Sequence, residues 1–169
     1  MAIEVSANAW QDLIFGTKGE LPELGEPHVS RPRVMTLVEQ ATRKRLTTVI
    51  AGEGAGKTVS LSTYVRSRPA GAAVWYTADA LDASATDFLR GLRVAIGACA
   101  GGSDQELPIL ATVVAAIKQR ANRAPLVIVI DEVQAAPLRA LALLLRYLPG
   151  DVRVVLAGRT LPDGLEELV

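Results

Sequence analysis

Residues 51–58 read Ala-Gly-Glu-Gly-Ala-Gly-Lys-Thr. Gly52, Gly54 and Gly56 leave a loop whose backbone N–H groups can curl around an anion, because no bulky side chain bars the approach. A helix expected to begin near Lys57 turns its positive end towards the same point. The Lys57 ammonium suits the β and γ phosphates of a nucleoside triphosphate, and the Thr58 hydroxyl suits Mg²⁺. The octapeptide is a phosphate-binding loop except at its first position, where Ala51 stands in place of the usual glycine. Glu53, Ala55 and Val59, within or beside the loop, join Gly52, Gly54, Gly56, Lys57 and Thr58 as expected nucleotide contacts.

A second polar group follows an aliphatic run. Val127-Ile128-Val129-Ile130 leads into Asp131-Glu132, the form of a Walker B strand that delivers two carboxylates to its carboxyl end. Asp131 is expected to hold Mg²⁺ through water, and Glu132 to orient the attacking water or take its proton. Alone, such a run also describes a strand before a solvated turn; the phosphate loop upstream favours the first reading. Gln134 either helps to place water and read the nucleotide or is a polar residue at a helix start. Arg159 either senses the γ-phosphate or is a surface arginine. Asp79 and Asp82 have water near Mg²⁺ within their chemistry, but helix caps and loop hydrogen bonds are the plainer reading.

Positioning these groups takes a sheet with helices. Leu46–Ala51, Ala73–Thr77, Leu126–Ile130 and Val152–Leu156 read as buried strands. Between them, helical spacing predicts elements over Val34–Lys44, Thr58–Arg66, Thr86–Ala98, Leu107–Ala121 and Leu138–Leu148. Val34, Leu37, Val38 and Ala41 form the apolar stripe of the first. The alternation points to a mostly parallel sheet covered on both faces, with ligands at the carboxyl ends of the strands. Residues 52–58, 131–134 and 158–160 all fall at such ends. The fourth strand is expected between the first and third, which brings Arg159 towards the γ-phosphate.

Upstream, Asn8–Phe15 suits a short helix. Gly16, Gly19, Pro22, Gly25, Pro27 and Pro32 then fall too closely for a long element. The expected division is therefore an N-terminal arm or linker over 1–32 and a phosphate-loop domain over 33–169.

Composition narrows the class. Half of the 169 residues are hydrophobic but only 4% are aromatic, so the core must be aliphatic. Eighteen basic residues balance eighteen acidic ones, which leaves no global field to attract nucleic acid. The basic run Arg43-Lys44-Arg45 reads as a solvated helix end. Cys99 is the only cysteine and His28 the only histidine, so neither an intrachain disulfide nor a Cys/His metal site is expected. Trp10 and Trp75 read as packing residues. No stretch is long and apolar enough for a bilayer, and a cytoplasmic location is expected.

Four stretches resemble the ATPase domain of STAND-class P-loop proteins, in particular those of MalT-like regulators of the LuxR family. They are Arg31-Pro32-Arg33; the phosphate loop with Ser62 and Tyr64 in its helix; Ala73-Val74-Trp75-Tyr76-Thr77 with Asp79, Asp82 and Phe88-Leu89; and Leu144, Leu148-Pro149 with Val152–Arg159. The similarity spans about 31–162. It implies a three-layer α/β nucleotide-binding domain that switches between ADP and ATP with Mg²⁺, in a transcriptional regulator with further domains. It also implies that Arg31 lies near the base, that Lys57 and Thr58 bind phosphate and Mg²⁺, and that Asp131 and Glu132 support hydrolysis, with Lys57 and Arg159 beside Glu132 as the expected catalytic groups. The family commonly has Asp-Asp where this chain has Asp131-Glu132. Its core also ends in a strand beside the first, and no such strand is evident after Arg159. The expectation is thus a fragment or a short protein, with 46–50 as an exposed edge that Ile3–Val5 or a protein partner covers.

With no guanine-reading Asn-Lys-x-Asp pattern, ATP is the expected nucleotide. No helix-turn-helix is visible, so direct DNA binding by this segment is not expected. A different class of function also suits the residues: an assembly module that holds nucleotide without turning it over. A metabolic kinase would need a lid with arginines, and none is evident.

Overall fold

The computed structural model describes residues 7–25, 31–98 and 105–165, with side chains from residue 13 onward. The expectations attached to Ile3–Val5, His28, Cys99 and the side chain of Trp10 lie outside them.

Short runs of β-branched and aliphatic residues make four strands: β1 (Leu46–Ile50), β2 (Ala73–Thr77), β3 (Val127–Asp131) and β4 (Arg153–Gly158). They form one parallel sheet in the order β1-β4-β3-β2, with β4 between β1 and β3 as expected. Every residue of β3 is buried, as a continuous aliphatic run requires in a sheet covered on both sides.

The strand residues alternate between two apolar clusters. Val74, Tyr76, Ile128, Ile130, Val154 and Leu156 pack with α4 (Ala85–Ala95), α5 (Glu106–Ala121) and α6 (Leu138–Tyr147). Trp75, Val127, Val129, Val155 and Ala157 pack with Val38 of α2 (Pro32–Ala41) and with Leu61, Tyr64 and Val65 of α3 (Lys57–Arg66). The period-2 alternation of strand side chains produces this division.

Several boundaries differ from expectation. Helix α2 begins on Pro32 but stops at Ala41, three residues short of Lys44. There Thr42 turns its hydroxyl back to Val38 O at 2.8 Å and accepts a hydrogen bond from Tyr64 Oη at 2.9 Å. Leu37, placed by spacing on the apolar stripe, is exposed, because only Val38 of that helix is buried. Strand β4 runs to Gly158, where Ala157 and Gly158 pair with Val49 and Ile50. Helix α4 ends at Ala95, ahead of Gly97 at φ 63°.

The N-terminal helix is longer than Asn8–Phe15. It spans Ala7–Lys18 (α1) and packs on α4 and β2. Among the described residues β1 has a strand neighbour on one side only, β4. No described helix is long and apolar enough to cross a membrane.

Candidate nucleotide site

Parallel strands in register end together. Ile50 pairs with Gly158 and Thr77 with Asp131, so the segments after β1, β3 and β4 emerge at one edge of the sheet. A cleft of about 520 Å³ opens there, lined by Glu53, Gly54, Gly56, Lys57, Thr58, Val59, Glu132 and Arg159.

The loop after β1 has the backbone that its glycines permit. Gly54 and Gly56 lie at φ 73° and 83°, a left-handed conformation nearly free to glycine and costly to other residues. Gly56 is the N-cap of α3, so the open N–H end of that helix faces the cleft. A Cβ at Gly52 or Gly54 would meet nothing within 4 Å; the loop's outer face is open to a ligand.

Lys57 Nζ donates to the carbonyls of Ala51 at 2.7 Å and Gly52 at 3.0 Å. The ammonium is held at the cleft by neutral acceptors that an anionic phosphate oxygen outcompetes. Thr58 Oγ1 donates to Asp131 Oδ2 at 2.6 Å. Asp131 is buried, and its other oxygen accepts from the N–H of Glu132 at 3.0 Å. A hydroxyl and a carboxylate side by side are hard oxygen donors of the kind Mg²⁺ takes, alongside phosphate and water. The donor set therefore fits the cation.

Glu132 stands at φ 53°, ψ 40° and is the only non-glycine residue at positive φ among those described. This turn takes the chain from β3 into a short 3₁₀ helix (Val133–Ala135), and strain of this kind concentrates at functional sites. Gln134 Nε2 donates to Glu132 Oε2, and Gln134 Oε1 accepts from the N–H of Arg159 at 3.1 Å. Arg31 Nη1 donates to Ala55 O at 3.2 Å, so its guanidinium stands against the phosphate-loop backbone.

Asp79 and Asp82 hydrogen-bond within their own loop, as the plainer reading had it, and they also pair with a residue to which sequence reasoning gave no role. Lys18 Nζ, at the end of α1, reaches Asp79 Oδ1 at 2.7 Å and Asp82 Oδ2 at 2.9 Å. Asp82 also accepts from Tyr76 Oη at 2.7 Å and from the N–H of Asp79 at 2.9 Å. Burial first, and then the charge and hydrogen bond of Asp82, push the Tyr76 hydroxyl far above its ordinary value of 10.0. Gly158, within the 158–160 segment expected at the ligand edge, has a packing role that sequence reasoning did not assign. A Cβ there would collide with Gln134 Oε1 and stand 3.0 Å from Val133 Cγ1. The available signal was a glycine at the last position of a strand that ends at the ligand edge.

No curated protein matches the chain. A family model described as an AAA domain matches residues 39–165, which takes in all four strands, the phosphate loop, Asp131-Glu132 and Arg159. This chain belongs to the AAA domain family, within the P-loop NTPases.

Proposed function

We propose that the chain is an ATP-binding signalling domain with slow, Mg²⁺-dependent hydrolysis, built as a three-layer P-loop sandwich and belonging to a STAND-type transcriptional regulator. The observation that carries the nucleotide reading is the Thr58–Asp131 hydrogen bond of 2.6 Å, which joins the two motifs at the mouth of one cleft. The STAND assignment rests on the resemblance of the Trp75 strand and the Val152–Arg159 segment.

In this reading the N–H groups of residues 52–58 and the Lys57 ammonium bind the phosphates. Arg31 and Val59 border the nucleotide, Arg31 towards the base. Thr58 and Asp131 hold Mg²⁺, which when bound neutralises charge on the β and γ phosphates. Glu132 orients a water in line with the γ-phosphorus. The water oxygen bonds to phosphorus, the bond to the β–γ bridging oxygen breaks, ADP leaves with that electron pair, and the water's proton passes to Glu132. Arg159, lining the same cleft, meets the charge on the γ-phosphoryl oxygens. Neither the loop nor the cleft carries a guanine-reading motif, which favours ATP.

The test is calorimetry of MgATP and MgADP against the chain and against Lys57→Ala. Binding that weakens at least about tenfold in the variant, the loss of one charge-assisted contact, supports the reading. A folded chain that binds neither nucleotide would falsify it.

One observation favours a second reading, a nucleotide-dependent assembly module. Strand β1 is paired on one side only among the described residues, and Ile50 on it is 43% exposed. An unpaired edge is a template for another chain. Nucleotide binding without turnover, together with a change of oligomeric state in light scattering, would favour that alternative.

A further inference from the structure

We propose that Gln134 is a positioning residue that holds the Glu132 carboxylate in the cleft and ties it to the backbone of Arg159, so that the end of β4 and the water-orienting carboxylate move as one unit. This rests on the hydrolysis reading above and deepens it.

The chemistry of the two partners sets the direction of the Gln134 amide. The Arg159 N–H can only donate, so it takes the amide oxygen. The Glu132 carboxylate takes the amide NH₂. A carboxamide supplies both functions at once; a carboxylate, an aliphatic group or an ammonium supplies at most one. The bond to Glu132 is charge-assisted, so it is stronger than the neutral one to Arg159.

The backbone is shaped around this contact. Val133, fully buried, anchors the 3₁₀ turn whose neighbour Gln134 reaches across to β4. Gly158 is the residue of β4 that faces the amide, and a Cβ there would clash with Gln134 Oε1 and push the amide aside. The left-handed turn at Glu132 faces its side chain back onto the residue two positions ahead. A glycine, a strained turn and an amide therefore converge on one juncture. That juncture links a residue lining the cleft from β3 to a residue lining it from β4. Among the described residues, the Glu132 carboxylate is held by Gln134. Without it, the carboxylate is free to swing away from a water that has to sit within hydrogen-bond reach.

The experiment compares steady-state ATP hydrolysis and MgATP binding for the wild type, Gln134→Ala, Gln134→Glu, Gly158→Ala, the double variant Gln134→Ala/Gly158→Ala, and Glu132→Gln. Gln134→Glu keeps the acceptor for Arg159 but loses the donor to Glu132. Both Gln134 variants are expected to lower kcat about 10- to 100-fold, the scale of a misplaced catalytic group, with KM and the binding constant within about twofold of wild type because no phosphate contact is removed. The double variant is expected to be no slower than the slower single one, since both changes break one contact. Gly158 sits in a buried strand, so circular dichroism checks its fold; Gln134→Ala, on the 3₁₀ turn, decides the matter where Gly158→Ala fails to fold. A Gln134→Ala kcat within twofold of wild type, while Glu132→Gln abolishes turnover, overturns the positioning role and leaves the hydrolysis reading intact. A raised KM at unchanged kcat also overturns it, by making Gln134 a binding residue. A wild type that binds MgATP without turnover, or a Glu132→Gln variant as fast as wild type, overturns the hydrolysis reading and the positioning role together.

Discussion

Replacing Lys18 with methionine tests whether α1 is an arm laid on the domain or an integral part of its core. The ammonium is buried, and Asp82, 2.9 Å away, has a side chain with no exposure at all. At that distance and an effective dielectric of about 20, the gross attraction is roughly 6 kcal/mol. Most of that offsets desolvation of the two charges, but the variant does not recover the desolvation of Asp82. That carboxylate stays buried with Tyr76 Oη and the Asp79 N–H as its remaining donors. Breaking a buried pair from one side costs about 3–5 kcal/mol; the two surviving hydrogen bonds put Lys18→Met at the low end, about 3 kcal/mol. The partner Asp79 has a side chain 49% exposed, so solvent screens that bridge and its share is under about 1 kcal/mol. Equilibrium urea unfolding measures the cost, and a double-mutant cycle with Asp82→Asn is expected to give coupling of about 2 kcal/mol against less than about 1 kcal/mol with Asp79→Asn. Because the ordered surface is otherwise kept, the denaturant slope stays constant. A Lys18→Met midpoint that matches wild type, or equal coupling to the two aspartates, refutes the buried-pair reasoning, and leaves the apolar contacts of Phe15 as what holds α1 to the domain.

Two further outcomes follow from the same geometry. Tyr76 keeps its proton in the folded state well above 10.0, the value at which an exposed tyrosine titrates. Its contribution to stability is therefore complete below pH 10 and is lost as pH rises beyond it, at up to about 1.4 kcal/mol per pH unit. Tyr76→Phe is expected to cost about 1–2 kcal/mol at pH 7 through the lost bond to Asp82 and to flatten that alkaline decline, as read by urea unfolding at pH 8 and 11. Asp131→Asn keeps an acceptor for Thr58 but removes the charge facing the cation. It is expected to weaken MgATP binding about tenfold while leaving ADP binding in excess chelator unchanged; equal losses in both conditions would make Asp131 a structural residue only.

The residues that mark the nucleotide site were legible because their pattern is local. A phosphate loop needs small residues in consecutive positions, and Gly54 and Gly56 take the backbone that only glycine adopts easily. A strand buried on both faces needs an unbroken aliphatic run, and Val127–Ile130 is one. The strand order placing β4 between β1 and β3 was expected from the topology that the two nucleotide motifs imply, not from the alternation of elements. Strand ends shifted by a residue or two, because pairing with a neighbour, here Ala157 and Gly158 with Val49 and Ile50, decides where a strand stops.

By itself, then, the sequence determined the parallel α/β plan and the three polar segments at its ligand edge, through propensity and period acting over a few residues. The tertiary structure alone decided the partners of side chains far apart in the chain. Lys18 meets aspartates 61 and 64 positions away, which depends on how α1 settles on α4. Leu37 faces solvent although its spacing put it inside, because burial of a helical stripe depends on what packs against it. Gln134 meets the N–H of a residue 25 positions on only because β3 and β4 are neighbours and Gly158 leaves room. Such contacts are set by packing of whole elements, and no local pattern encodes them.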